Sequence, residues 1–356
     1  MPLNNRQIIY ANTPSPAIDP SLANGTFKLN TSTVPDNVPS DKILVRAHYL
    51  SLDPAMRQWL TAKRSYIAPV ERGHVMRGQS IAQVVAVGDS LKAQYKVGDW
   101  VIAYSGWQEY ATLQPKEAQK VVVPPGCQPT DAMSVLGMTG LTAYFGMMEI
   151  GQPRKGDTVV VSGAAGATGM VAGQIAKVQG AKRVVGLAGS ADKCEFLRRE
   201  LGFDAAINYK DADWKKQLKE ATPEYIDVFF DNVGGEILDV CLARAARDSR
   251  FVICGAISQY NAKNPTGPAS FMNVIVSHPL HYSTSSKSPT DRIAVPTGNN
   301  ERLHCLRLRE EIPRGAAGPG DLARAGQDQA QGTYYQGWAG GCAPGIGQFV
   351  PGCQYR

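Results

Sequence analysis

No C-x-x-C pair occurs in this 356-residue chain, and its seven cysteines (Cys127, Cys194, Cys241, Cys254, Cys305, Cys342 and Cys353) follow no regular spacing. An odd, scattered set excludes a zinc knuckle and argues for reduced thiols against a disulfide framework. Histidines number five, and although His74 follows Gly73 as a zinc ligand would, no Glu follows it and no Cys precedes it at ligand spacing. No metal site is expected. Nor is there an apolar run of 18 residues, and the polar start Met1-Pro-Leu-Asn-Asn-Arg6 is not a signal peptide. These absences point to a cytoplasmic protein without a membrane span. The net charge of +6 is dispersed without a basic run, which argues against a nucleic-acid groove.

What is present is an ordinary globular composition, 43% hydrophobic and 19% charged, in a chain long enough for two domains with separate cores. Its first third reads as short strands at 42–48, 81–87 and 99–104, with turns supplied by Gly88, Gly98-Asp99 and Pro124-Pro-Gly126. This predicts a β-rich domain over 1–130. Residues 131–149 are apolar at helical spacing and predict a helix leading into a second domain over 131–276.

The second domain is organised around Val159-Val-Val-Ser-Gly-Ala-Ala-Gly-Ala-Thr-Gly-Met170. Consecutive valines bounded by small residues predict a strand buried on both faces, and Gly163-x-x-Gly166-x-x-Gly169 turns the chain into a helix over 170–179. Glycine suits this place because a Cβ would hold a pyrophosphate away from the backbone N–H groups, and because Gly169 lets helix and strand approach closely. A glycine triplet alone also describes ordinary turns. Here a second apolar strand, 183–188, completes a strand–helix–strand unit, which favours a dinucleotide. After that strand stand Gly189, Ser190 and Lys193 with no acid at the strand's end. A small turn with a hydroxyl and an ammonium admits a 2′-phosphate, so the pattern selects NADPH over NADH; the plainer reading of Lys193 is a solvated residue of a helix's first turn. Further buried strands are predicted at 227–235 and 251–257, which puts Asn232 and the run 254–260 on the cofactor edge of a parallel sheet.

Six segments in this order carry a resemblance: Gly106-Trp-Gln-Glu-Tyr-Ala111, Gly137-Met-Thr-Gly-Leu-Thr-Ala-Tyr144, residues 162–169, Ile207-Asn-Tyr-Lys210, Asp231-Asn-Val-Gly-Gly235 and Cys254-Gly-Ala-Ile-Ser-Gln-Tyr260. Together they resemble the zinc-independent medium-chain dehydrogenase/reductases, specifically the prostaglandin and leukotriene reductases and the alkenal double-bond reductases. The resemblance implies an α/β protein with a GroES-like β domain, which holds a small-molecule substrate, joined to a doubly wound Rossmann sheet. It also implies NADPH-dependent reduction of the C=C bond of an α,β-unsaturated ketone or aldehyde, in a homodimer. Carried over, Gly166, Ala167, Thr168 and Gly169 meet the pyrophosphate, Lys193 and Tyr209 the 2′-phosphate and its ribose, and Asn232 the cofactor ribose. Cys254, Gly255, Ala256, Ile257, Ser258 and Tyr260 fall on the nicotinamide side. Hydride addition to an enone leaves charge on the carbonyl oxygen, so a hydroxyl donor is needed, and the resemblance puts Tyr260 there; packing against the cofactor is its alternative role. Tyr66, in Ser65-Tyr-Ile-Ala-Pro69, reaches the pocket from the opposite wall or is a surface aromatic. A quinone is the alternative acceptor, and a catalytically inactive nucleotide-binding protein the alternative class.

Past Val276 the resemblance stops. Residues 277–290 are rich in Ser, Thr, Pro and His, and 314–356 are roughly one quarter glycine, a composition that buries too little apolar surface to offset chain entropy. This predicts a low-complexity, disordered tail over 277–356, entered by a shifted reading frame or forming a genuine extension. On the frame-shift reading the family's last sheet strand is absent, and a poorly stable monomer with little turnover is expected instead of the dimer.

Overall fold

The computed structural model describes residues 3–62 and 67–269; Tyr66, residues 270–276 and the tail from 277 onward therefore lie outside the described residues. The described residues before 123 and those of 129–269 fall in one compact unit. The short loop 123–128, closed by the Cys127 N–H donating to the Pro124 carbonyl at 3.0 Å, falls outside it.

Alternation of apolar and polar residues with period two builds the first sheet. Strands β1 (Asn4–Tyr10) and β2 (Phe27–Thr33) form an antiparallel pair of their own. A five-stranded antiparallel sheet follows, made of β3 (Ile43–Leu50), β4 (Ser80–Val87), β5 (Trp100–Ala103), β6 (Tyr110–Leu113) and β7 (Ala118–Lys120), ordered β6-β3-β4-β5-β7. Its buried face carries Ile43, Val45, Ala82, Val84, Val101 and Ala103. The expected β domain is present. The β1–β2 pair is an addition that the sequence reading left unassigned.

The helix expected over 131–149 is instead broken into a 3-10 turn (Pro129–Met133), helix α1 (Met138–Phe145) and a π turn (Gly146–Gly151). Gly137 makes the break before α1, which it caps in an extended conformation that no continuous helix can cross; the π turn then continues α1 through helical Phe145 and Gly146.

The second sheet contains β8 (Thr158–Ser162), β9 (Arg183–Ala188), β10 (Ala205–Asn208), β11 (Ile226–Asp231) and β12 (Ala245–Ile253), all parallel and ordered β10-β9-β8-β11-β12. Helices α2 (Ala167–Val178), α3 (Ala191–Arg199), α4 (Trp214–Ala221) and α5 (Gly235–Ala243) join them. Strand period two sends Val159, Val161, Val228 and Phe230 to one apolar cluster with Ala172, Ala176 and Leu197. Val160, Val185, Leu187 and Phe229 go to the other, with Leu218 and Ile237. Every residue of β8 is buried, as its valine run requires. The strand order 3-2-1-4-5 within this domain places β8 and β11, whose connections leave in opposite directions, side by side; their carboxyl ends form the crevice where open α/β sheets bind ligands.

In this sheet β11 ends at Asp231, where the sequence reading ran to 235, and two further boundaries differ. Helix α2 begins at Ala167, three residues before the expected start. The last strand runs 245–253 and not 251–257. Its polar opening, Ala245-Ala-Arg-Asp-Ser-Arg250, is held in the sheet by an ion pair between the largely buried Arg250 and Asp157 side chains. It ends where the N–H groups of Cys254 and Gly255 both turn to the Asp231 carbonyl, at 2.8 and 2.9 Å, so 254–260 rise over the sheet edge instead of extending it.

Candidate cofactor and active site

At the end of β8, Gly163 takes a positive φ of 57° and Gly166 caps α2 in an extended conformation. The first N–H groups of α2, on Ala167, Thr168 and Gly169, have no acceptor one turn back, and no acid lies in that turn. The cradle thus offers aligned donors without a competing carboxylate. A Cβ on Gly169 would lie 2.4 Å from the Gly163 carbonyl oxygen and 2.8 Å from the Ala164 Cα. Glycine is therefore required there for helix and turn to touch.

Across the crevice, Asp231 is fully buried at the end of β11. Its Oδ1 accepts from the Ser162 hydroxyl at 2.6 Å and from the Val233 and Gly234 N–H groups at 2.9 and 3.0 Å. Burial pushes this carboxyl upward from the usual carboxylate range, and the three donors pull in the opposite direction without cancelling it. Ser162 Oγ also accepts from the Asn232 N–H at 2.8 Å, while the Asn232 side-chain amide donates to the Ser162 carbonyl at 2.7 Å. The two strand ends are locked together, and Asn232 is held against Gly163. Neither Ser162 nor Asp231 was singled out from the sequence, although an acid closing the apolar run Val228-Phe-Phe230 is the signal that finds the latter.

The run 254–260 packs over Asn232. Ile257 N–H donates to the Asn232 carbonyl at 3.3 Å, and Ser258 Oγ to the Val233 carbonyl at 2.7 Å. Tyr260 Oη accepts from the Ala256 N–H at 3.3 Å and sits above Gly255, where a Cβ would come within 3.2 Å of it. Accepting there uses a lone pair and not the phenolic proton. The Cys254 thiol is pushed up to about 12 by burial, with the Asp231 charge adding to the effect, so it stays protonated and is no nucleophile at neutral pH.

At the end of β9, Ser190 caps α3 and accepts from the Lys193 N–H at 3.4 Å. Tyr209 joins this turn: its N–H donates to the Ala188 carbonyl at 3.0 Å, and a Cβ on Gly189 would lie 2.7 Å from Tyr209 Oη and 3.6 Å from Lys210 Cε. Gly189 is thus covered by Tyr209, and Lys193 lies in the first turn of the helix that Ser190 caps. Lys210, which the sequence reading did not assign to the site, stands beside Gly189 as well, and Asp192 is the one acid in the first turn of α3. Among the described residues no group of three or more His, Cys, Asp and Glu is placed to hold a metal ion, and no helix is long and apolar enough to cross a membrane.

Comparison with known proteins fits this geometry. Residues 6–121 match a family model described as an N-terminal domain of oxidoreductase, and residues 167–288 one described as a zinc-binding dehydrogenase. The chain is 40% identical over 266 residues to the NADPH-dependent curcumin reductase of Escherichia coli, covering 74% of each chain. It is 40% identical over 261 residues to prostaglandin reductase 1 of Bos taurus, covering 72% of this chain and 75% of that one. The crystal structure of CurA in complex with NADPH from Vibrio vulnificus superposes with a TM-score of 0.73 at 35% identity, covering 92% of this chain and 88% of that chain. The chain belongs to the zinc-independent medium-chain reductases, the group that includes the prostaglandin, alkenal and curcumin reductases.

Proposed function

We propose that this NADPH-dependent reductase reduces the C=C bond of α,β-unsaturated ketones and aldehydes. The observation that carries the reading is the convergence, on one crevice, of the α2 N-terminal cradle, the Asn232 lock and the Tyr260 hydroxyl. Relatives bearing the names prostaglandin reductase, curcumin reductase and 2-alkenal reductase support the substrate class.

The residues present fit the dinucleotide. Gly166, Ala167, Thr168 and Gly169 would receive the pyrophosphate on N–H groups, and Lys193 and Tyr209 the 2′-phosphate. Asn232 would meet the ribose, and Cys254, Gly255, Ala256, Ile257 and Ser258 would flank the nicotinamide. When bound, NADPH supplies a hydride for the β-carbon. Tyr260 then donates a hydrogen bond to the carbonyl oxygen, where negative charge develops, and delivers the proton. Its fixed place over 254–256 means that no reorganisation is needed as the charge forms. The β domain supplies the remaining wall of the substrate site.

Steady-state oxidation of NADPH with an enone, the corresponding saturated ketone and a quinone tests the reading. Turnover with the enone and none with the saturated ketone is expected. Faster turnover with the quinone than with any enone would transfer the chain to quinone reduction.

Cofactor choice gives a separate test. One charge-assisted contact contributes roughly 1.5–3 kcal/mol, so NADPH should bind at least about tenfold more tightly than NADH. Lys193→Ala should erase most of that gap in a fluorescence titration. Equal affinities in the parent protein would refute the role of Lys193.

A further inference from the structure

The loop 254–260 leaves the sheet at Ile253, and its regular structure is a single 3-10 turn (Ile257–Gln259). So short a turn has little order of its own and takes its conformation from what holds its ends. The near end is bonded to the end of β11 through the carbonyls of Asp231, Asn232 and Val233. Just past the far end, Asn261 Oδ1 accepts from Arg57 Nε at 2.9 Å. Arg57 belongs to the β domain: it lies in the 3-10 segment Pro54–Leu60, which Met56 and Leu60 anchor in the apolar cluster with Tyr10, Phe27 and Met76. The other arm of its guanidinium donates to the Pro16 carbonyl at 2.6 Å, fixing the direction in which Nε points.

We propose that Arg57 is a positioning residue, which couples the β domain to the nicotinamide-side loop by clamping Asn261 next to Tyr260. The inference rests on the reading of 254–260 as the nicotinamide side of the site. A planar guanidinium suits this role because two arms at a fixed angle engage a carbonyl and an amide oxygen together; the single ammonium of a lysine cannot reproduce both bonds.

The test separates the two halves of the cofactor. Parent, Arg57→Met, Asn261→Leu and Asn261→Asp proteins are titrated with NADPH and with adenosine 2′,5′-bisphosphate, which carries only the adenine half. Arg57→Met and Asn261→Leu should each weaken NADPH about fivefold, the usual worth of one hydrogen bond, while leaving the bisphosphate unchanged. Asn261→Asp keeps an acceptor and should bind both as the parent does. Asn261 is exposed, so its variants fold even if replacement of Arg57 does not. NADPH affinity unchanged in Asn261→Leu, or equal weakening of both ligands, overturns the proposal. Tyr260→Phe tests the proton-donor reading independently, because it changes turnover and not the ratio of the two affinities.

Discussion

Tyr260→Phe is expected to lower kcat about a hundredfold or more while NADPH affinity stays within about twofold of the parent. The substitution keeps the ring, and with it the cover over Gly255, and removes only the oxygen that accepts from the Ala256 N–H at 3.3 Å. A neutral hydrogen bond of that length contributes about 0.5–1.5 kcal/mol to local order, too little to account for a hundredfold loss, which corresponds to about 2.7 kcal/mol. A large fall in kcat therefore reports the missing donor and not a displaced loop. Retention of kcat would mean that solvent or the cofactor ribose protonates the substrate and that Tyr260 serves in packing.

Gly169→Ala should be the most damaging single-methyl change in the cofactor cradle. Its Cβ would meet the Gly163 carbonyl oxygen at 2.4 Å and the Ala164 Cα at 2.8 Å, both backbone atoms that cannot rotate away. Relief requires α2 to slide off the end of β8, and overpacking of this kind costs about 1–3 kcal/mol. For a domain of this size that lowers Tm by roughly 2–10 °C. The same shift takes the N–H groups of Ala167, Thr168 and Gly169 out of register with the turn, so NADPH binding should weaken by more than about tenfold. Calorimetry and titration check both parts. A Tm and an affinity equal to those of the parent would mean that α2 has room the close contact denies.

How far these sites were legible in the sequence depended on how local their causes are. The strand 183–188 and the core of β8 were readable to the residue, because a branched apolar run buried on both faces is specified by its own composition. β2 was not readable. Its sequence Phe-Lys-Leu-Asn-Thr-Ser-Thr is mostly exposed, and it becomes a strand through pairing with β1. The first half of β12 was hidden for a related reason: Arg250 reads as a loop residue until Asp157, 93 positions earlier, is placed against it. Within the site, glycine spacing pointed to the cradle, the acid-free turn after the second strand to Lys193, the strand end to Asn232, and the resemblance to the roles of Tyr209 and Tyr260. What no local pattern supplies is how they are held: the Asp231–Ser162 hydrogen bond joins strands 69 residues apart, and the Arg57–Asn261 bond spans 204. The expectations for Tyr66 and for 277–356 fall outside the described residues.

The central claim is that hydride goes to carbon in a C=C bond conjugated with a carbonyl. The most direct measurement uses NADPH deuterated at the transferable C4 position with a simple enone, and locates the label in the product by NMR. The expected product is the saturated ketone, with one deuterium on the β-carbon and the carbonyl intact. Deuterium on the carbonyl carbon of an allylic alcohol, or no transfer to any enone by protein that binds NADPH, would contradict the account.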